Sequence, residues 1–254
     1  VTDFAAILKS VVDQYPASIA AGLRTQIGRM SYEMSLFVPN VSPGARVCDL
    51  GAGWGTISLG CAAAGLKAVL VDDYRERGFF EAATMAAMRA LYEKYGVEVV
   101  SRDLVTEGLG FPAGSLDAVT CFDSIEHWHG SPKKALHDAM RALRPGGRFV
   151  IATPNCVNLR KRITVPLGRG KWSSLAEWYE NELFRGHVRE PDVDDLRFIA
   201  RDIGLKDAQI DGRNWNGYYS ESRVVRALIQ VVDPVLRLKP SLCSDLYLTG
   251  NAPR

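Results

Sequence analysis

Val47-Cys-Asp-Leu-Gly-Ala-Gly-Trp-Gly55, followed by Ala68-Val-Leu-Val-Asp-Asp73, reads as a strand, a glycine-rich turn, a helix and a second strand ending in carboxylates. Gly51, Gly53 and Gly55 carry no Cβ, so the backbone can turn tightly out of the first strand and a ligand can approach it closely. A helix over residues 56–64 then aims its unsatisfied N–H groups at that ligand. Asp72 stands 21 residues after Gly51 and closes the second strand, where a carboxylate can accept hydrogen bonds from both hydroxyls of a ribose. The spacing is that of a βαβ unit that receives a nucleoside-bearing ligand.

The glycine spacing narrows the choice of ligand. A dinucleotide site expects G-x-G-x-x-G, whereas Asp49-x-Gly51-x-Gly53-x-Gly55 puts Thr56 where the third dinucleotide glycine would stand. An acidic residue at the strand end repels a pyrophosphate and suits a cationic amino group, such as that of a methionine moiety.

With these residues the chain resembles the class I S-adenosylmethionine (SAM) dependent methyltransferases, and further segments extend the likeness in the family's order. Val99-Val-Ser-Arg-Asp103 resembles the third strand with its adenine-side aspartate. Gly114 to Trp128 is similar to the fourth strand and its loop, and Leu143 to Asn155 to the turn and fifth strand. The resemblance spans residues 45–155. It implies SAM as cofactor, S-adenosylhomocysteine as product and no metal. The implied fold is α/β, a Rossmann-like seven-stranded, mostly parallel sheet with helices on both faces, an N-terminal helical cap and a helical insertion after strand 5. The resemblance assigns Asp49, Gly51, Ala52, Gly53 and Gly55 to the methionine-side turn, Asp72 and Asp73 to the ribose, and Asp103 and Leu104 to the adenine edge. Phe122, Asp123 and Ser124 would line the face below the sulfonium. Of the two ribose carboxylates Asp72 is favoured, because it terminates the apolar strand.

A chain of 254 residues with ordinary apolar and charged content has room for one such domain. Its expected parts are a cap over residues 1–44, the SAM-binding core 45–155, an acceptor-side insertion 156–190 and a C-terminal part of the sheet, 191–254, with an inserted helix. No apolar run reaches the length of a membrane span, and the first residues lack the basic flank and apolar core of a signal peptide. The expected location is the cytoplasm, with a peripheral membrane contact left open. A net charge of +2 gives no global drive toward nucleic acid. Cys48, Cys61, Cys121, Cys156 and Cys243 lack C-x-x-C spacing, so free thiols are expected, without zinc or disulfides.

Phe4, Ile7, Leu8, Val11 and Val12, then Ile19, Leu23, Ile27 and Met30, recur at helical spacing around a break at Tyr15-Pro16. Two N-terminal helices are expected there. Strands near residues 46–51, 68–73, 97–102, 117–122 and 148–153 alternate with helices near 56–65, 75–95 and 132–144, the pattern of a parallel sheet. Pro145-Gly-Gly147 is expected to end a helix and turn the chain into the next strand. Residues 156–190 combine Arg160, Lys161, Arg162, Arg169 and Lys171 with Trp172, Trp178, Tyr179 and Phe184. That composition fits an acceptor lid or a hairpin packed on the sheet edge. Further on, residues 191–205 predict a helix closed by Gly204, residues 222–238 another, and Asp245 to Thr249 the last strand.

Methyl transfer from a sulfonium is an in-line displacement, so catalysis rests on holding nucleophile and methyl in near-attack geometry. A hydroxyl acceptor must also lose a proton. Ile125-Glu-His-Trp-His129 follows the fourth strand, and His127 is the first candidate base, with Glu126 to orient it. His187, in Phe184-Arg-Gly-His-Val-Arg-Glu190, is the alternative. That segment resembles one that precedes this helix in family members acting on small metabolites and sugars. His127 and His129 form an H-x-H pair beside Glu126, but two imidazoles without a positioned carboxylate leave a metal unexpected.

The expected reaction is O-methylation of a small-molecule acceptor: a sugar, a glycan intermediate or a secondary metabolite. Cations over residues 158–171 and 223–239 favour an anionic or glycosylated one. N-methylation and a non-catalytic SAM-binding partner role stay open, as does the oligomeric state. Nucleic acid is not an expected acceptor, because neither N-P-P-Y nor P-C follows the fourth strand.

Overall fold

A computed structural model describes residues 2–75, 81–169, 175–180 and 184–254. Seven strands form one sheet in the order β3-β2-β1-β4-β5-β7-β6. They are β1 (Arg46–Leu50), β2 (Lys67–Asp72), β3 (Glu98–Ser101), β4 (Leu116–Phe122), β5 (Leu143–Pro154), β6 (Lys206–Arg213) and β7 (Asp245–Asn251). All pairs are parallel except those of β7, which runs antiparallel to both β5 and β6. The strand order reverses between β1 and β4. In a sheet of this kind ligands bind outside the carboxyl ends of the strands at that reversal.

Helices cover both faces. On one side lie α1 (Phe4–Val12), α2 (Ala17–Ser35), α3 (Thr56–Ala63) and α4 (Ala82–Tyr95). Asp3 caps α1 by accepting from the Ala6 amide at 3.0 Å, and Phe4, Leu8, Val11 and Val12 turn its apolar stripe inward. Against the other face pack α5 (Lys133–Ala142) and α8 (Val193–Asp202), through Ala135, Leu136, Ala139, Leu196 and Ala200. Asp192 and Asp195 form a reciprocal capping box at the start of α8. Between β5 and α8 come α6 (Leu159–Thr164) and α7 (Leu175–Tyr179). Between β6 and β7 come α9 (Trp215–Tyr218) and α10 (Arg223–Leu236).

Several expectations meet a different structure. The predicted helix over residues 75–95 starts at Ala82, and its residues 76–80 lie outside the described residues. Pro145-Gly-Gly147 does not precede the strand but bulges within it: Leu143 pairs with Leu116 and Arg148 with Ala118, and Gly146 turns at φ 72°. Strand β6 carries no alternating apolar pattern, because it is an edge strand whose first four residues are exposed. Lys171 and Trp172 lie outside the described residues, while Trp178 and Tyr179 are exposed and do not pack on the sheet edge. Four of the five free thiols are buried and Cys156 is half-buried. No described helix is long and apolar enough to cross a membrane.

Candidate active site

The glycine turn sits at the carboxyl end of β1. Gly51 has φ 63°, and a Cβ there would stand 1.7 Å from Ser124 Oγ, so it is the close approach of two loops that excludes a side chain. Gly53 has φ 54° and the opposite surroundings: among the described residues a Cβ would meet nothing within 4 Å. The turn is therefore packed on the Gly51 side and open on the Gly53 side. Ala52 is half-buried and its amide donates to Val71 O at 3.2 Å, and Gly55 is the left-handed residue before α3.

Carboxylates surround the turn. Asp72 accepts from the amides of Gly53 and Tyr74, both at 2.8 Å, and so ties the end of β2 to the glycines. Asp49 is buried across the β1–β4 seam, where the Thr120 hydroxyl donates to it at 2.7 Å. Burial pushes its pKa up to about 7, against the pull of the Thr120 hydrogen bond. Asp73 accepts from the Arg75 amide at 3.0 Å and lies 3.5 Å from the Arg185 guanidinium. Asp103 accepts from the amides of Val105 and Thr106 at 3.0 and 3.2 Å and faces Arg75, beside a buried Leu104. Burial opposes ionisation of Asp103, but bonds from Thr106 and Val105 and the Arg75 charge outweigh it and hold the carboxyl below its usual range.

At the mouth of β4, Phe122 packs its ring 6.2 Å from that of Phe37, Asp123 adopts φ 44° and pairs with Arg29, and Ser124 accepts from Trp128 Nε1 at 2.9 Å. The chain then makes one helical turn over Ile125–His127. His127 Nδ1 lies 2.6 Å from the carbonyl of Arg185. His187 Nδ1 lies 2.8 Å from Glu190, and the two imidazoles meet edge to face with centroids 4.7 Å apart. The segment after α7 is pinned here, because the amides of Val188 and Arg189 both donate to Glu126 O. His129 is elsewhere, 6.0 Å from the Phe184 ring. The trio that forms is thus Glu126, His127 and His187, whose donor atoms lie within 4.8 Å of one another, and not the H-x-H pair.

Glu126 is fully buried, with a long 3.4 Å contact from the Thr153 hydroxyl to Oε2 and no hydrogen-bond partner for Oε1 among the described residues. Burial pushes its pKa up to about 8. Between the ordinary carboxylate value and about 8 the folded protein keeps a proton that the unfolded chain has released. Stability therefore falls as pH rises through that window. A Glu126→Gln protein, neutral throughout, is expected to melt above the native protein in mild alkali and alongside it in acid. Parallel melting curves at all pH values would mean that Glu126 is ionised in the fold.

Four residues here escaped the sequence reading: Arg29, Glu33, Arg185 and Glu190. Arg29, on α2, links Glu33 at 2.9 Å to Asp123, and neighbouring carboxylates outweigh the burial that opposes its charge. Arg185 meets both Asp73 and His127. Glu190 joins His187 to the buried Lys161, and those two partners outweigh burial and keep its pKa low. The one signal within the sequence was Glu33, a carboxylate on the buried stripe of α2. Arg162, by contrast, turns away from this cluster to the carbonyls of Val157 and Ser241.

Comparison with known proteins brings the same chemistry forward. The family described as "Methyltransferase domain" matches residues 24–210. A probable S-adenosylmethionine-dependent methyltransferase of Mycolicibacterium smegmatis is 31% identical over 193 residues, which are 72% of this chain and 68% of that protein. The ubiquinone biosynthesis O-methyltransferase of Ralstonia nicotianae is 29% identical over 177 residues, 68% of each chain. Among solved structures, phosphoethanolamine N-methyltransferase 2 of Haemonchus contortus in complex with S-adenosyl-L-methionine aligns with a TM-score of 0.59 at 18% identity. That alignment covers 100% of this chain and 61% of that one, and shows the fold alone. A glycine turn that follows Asp49 and is tied to Asp72 at the carboxyl ends of β1 and β2 is thus found in a chain that belongs to the class I SAM-dependent methyltransferases, with SAM as its cofactor.

Proposed function

We propose that the protein methylates a hydroxyl of a small-molecule acceptor, with His127 as general base and residues 1–254 acting as one domain. The observation that supports this most is the 2.6 Å contact between His127 Nδ1 and Arg185 O. A carbonyl only accepts, so Nδ1 carries the proton and Nε2 keeps the lone pair. The base is thereby held in its proton-accepting tautomer. His187 is held likewise, by a carboxylate, and braces the His127 ring edge-on.

The residues fit SAM, because the space where Gly53 lacks a Cβ is open among the described residues, while Gly51 and Gly55 of the same turn are closely packed. Bound there, SAM supplies a methyl group activated by its sulfonium. Asp49 is assigned to the methionine ammonium, Asp72 and Asp73 to the ribose, Asp103 and Leu104 to the adenine. Phe122, Asp123 and Ser124 form the floor on which the acceptor oxygen is aligned, and the proton of that oxygen passes to His127 Nε2. The O-methyltransferase named for ubiquinone biosynthesis supports a hydroxyl acceptor. The acceptor class is a sugar, a glycan intermediate or a secondary metabolite.

Incubation with methyl-labelled SAM and a panel of hydroxylated metabolites tests this proposal. Label in an ether that survives mild base is the expected product, and label in amines alone would replace the hydroxyl with nitrogen. Transfer that a chelator abolishes and a divalent ion restores would put a metal among Glu126, His127 and His187 instead of a proton. Cofactor binding should also depend on pH. Asp49 is half-protonated near pH 7, and a cationic ligand beside it favours the ionised form. SAM affinity is expected to rise as pH climbs toward neutrality, with a proton released on binding. Asp49→Asn should weaken binding by about ten- to hundred-fold and remove the pH dependence. Calorimetry in two buffers of different ionisation enthalpy measures both effects, and a native protein that binds without proton release would separate Asp49 from the ammonium.

A further inference from the structure

We infer that the outer face of α10, with the adjoining surface of α6, docks on an anionic lipid bilayer. Along α10 and the turn that continues it, Val224, Leu228, Val231, Val235 and Leu238 are each 59–84% exposed. Their spacing of four, three, four and three places them within an arc of about 80°. A helix of a folded monomer normally turns such a stripe inward. Here the inward side of the helix is already filled, with Ile229, Val232 and Leu236 half-buried and Asp233 buried against Asn214 and Tyr218, so the exposed stripe is a second apolar face left without a partner among the described residues.

The stripe does not end with the helix. Ile163 and Leu167, on and just after α6, are 56% and 71% exposed. The two elements are neighbours, because Arg162 donates to Ser241 O at 3.1 Å, three residues beyond Leu238. Exposed apolar side chains thus stand on two elements that meet at Arg162 and Ser241, the kind of surface that marks an interaction site.

Charge identifies the occupant. Residues 156–169 carry Arg160, Arg162 and Arg169 besides the buried Lys161, which Glu190 neutralises, and no acid. Residues 223–239 carry Arg223, Arg226, Arg237 and Lys239 against one acid, Asp233, which is 1% exposed and paired with Arg237. Beside Leu238 opens a cavity of about 650 Å³ between α8 and β6, lined by Arg162, Arg201 and Lys239. Its carboxylates are engaged: Asp192 caps α8 and Asp194 pairs with Arg197. Among the described residues neither Arg201 nor Lys239 has an ion-pair partner, so the cavity keeps a positive surplus. A second copy of the chain on this face would set cation against cation. An anionic bilayer takes the apolar stripe into its acyl boundary and matches the cations with headgroup phosphates.

Co-sedimentation of the full chain with vesicles tests the surface. Binding is expected to vesicles containing phosphatidylglycerol, to fall as salt rises, and to be weak on phosphatidylcholine alone. Leu228→Glu with Val231→Glu should weaken it by about a hundred-fold. Both side chains are exposed, so the melting temperature should stay at the native value. Arg201→Gln with Lys239→Gln should remove most of the preference for anionic vesicles. Equal binding to both vesicle types would overturn the role of charge. No pelleting with either, together with a dimer in light scattering that the glutamate pair dissociates, would replace the bilayer with a second copy.

Discussion

Gly53→Ala should give a protein that folds and melts near the native temperature yet binds SAM about a hundred-fold more weakly. The two effects separate because of where the new methyl would go. Its Cβ meets no atom of the described residues within 4 Å, so among them the folded state is charged only for placing alanine at φ 54°, about 1–2 kcal/mol. The same empty space is the face of the turn assigned to the cofactor. A methyl there presses on the ligand, and overpacking a tight site costs about 1–3 kcal/mol. Gly51→Ala is the control with the reverse outcome. Its Cβ would lie 1.7 Å from Ser124 Oγ, and relief requires Ser124 to leave Trp128 Nε1 and the β4 loop to move. A stability loss of about 3 kcal/mol or more is expected, visible in the melting temperature before any ligand is added. Calorimetric titration of both variants decides the assignment. Native SAM affinity in Gly53→Ala would move the cofactor off the open face of the turn.

The sheet was legible because its signals are local. Each of β1, β2, β4 and β5 is an apolar run bounded by glycine, proline or carboxylates, and buried strands of a parallel sheet must read that way. β6 broke the rule because it lies at the edge with its first residues in solvent, so burial imposed no pattern on Lys206 to Gln209. Pro145-Gly-Gly147 misled for a related reason: the same residues that stop a helix also form a bulge, and only pairing with β4 decides between them. In the site, Asp49, Gly51, Gly53 and Asp72 could be read from spacing because the βαβ unit keeps them close along the chain. The contact that joins His127 to His187, both candidates from the sequence, could not. Glu190 acquires its meaning only when the chain after α7 returns to place His187 against His127 and to pin its amides on Glu126 O. Arg29 is read correctly only once α2 lies over Asp123. These are long-range contacts, and nothing in the local pattern encodes them.

His127→Ala should lower kcat by about 10²–10⁴-fold, the range for loss of a positioned general base, while the dissociation constant for SAM stays native. The alanine variant alone is ambiguous, since His127 also holds the Arg185 carbonyl at 2.6 Å and so helps to fix the segment that carries His187. His127→Asn removes the ambiguity. Its side-chain amide can still donate toward the carbonyl but has no nitrogen that takes a proton, so it preserves the tether without the base. If His127 acts through Nε2, the asparagine variant is as slow as the alanine variant, because neither carries a nitrogen that takes the proton. Near-native turnover in His127→Asn would reduce the residue to a structural pin. His187→Ala completes the comparison. Its imidazole is bound to Glu190 and meets the His127 ring edge to face, so about a ten-fold loss is expected. A larger loss at His187 than at His127 would exchange their roles and make the Glu190–His187 pair the base.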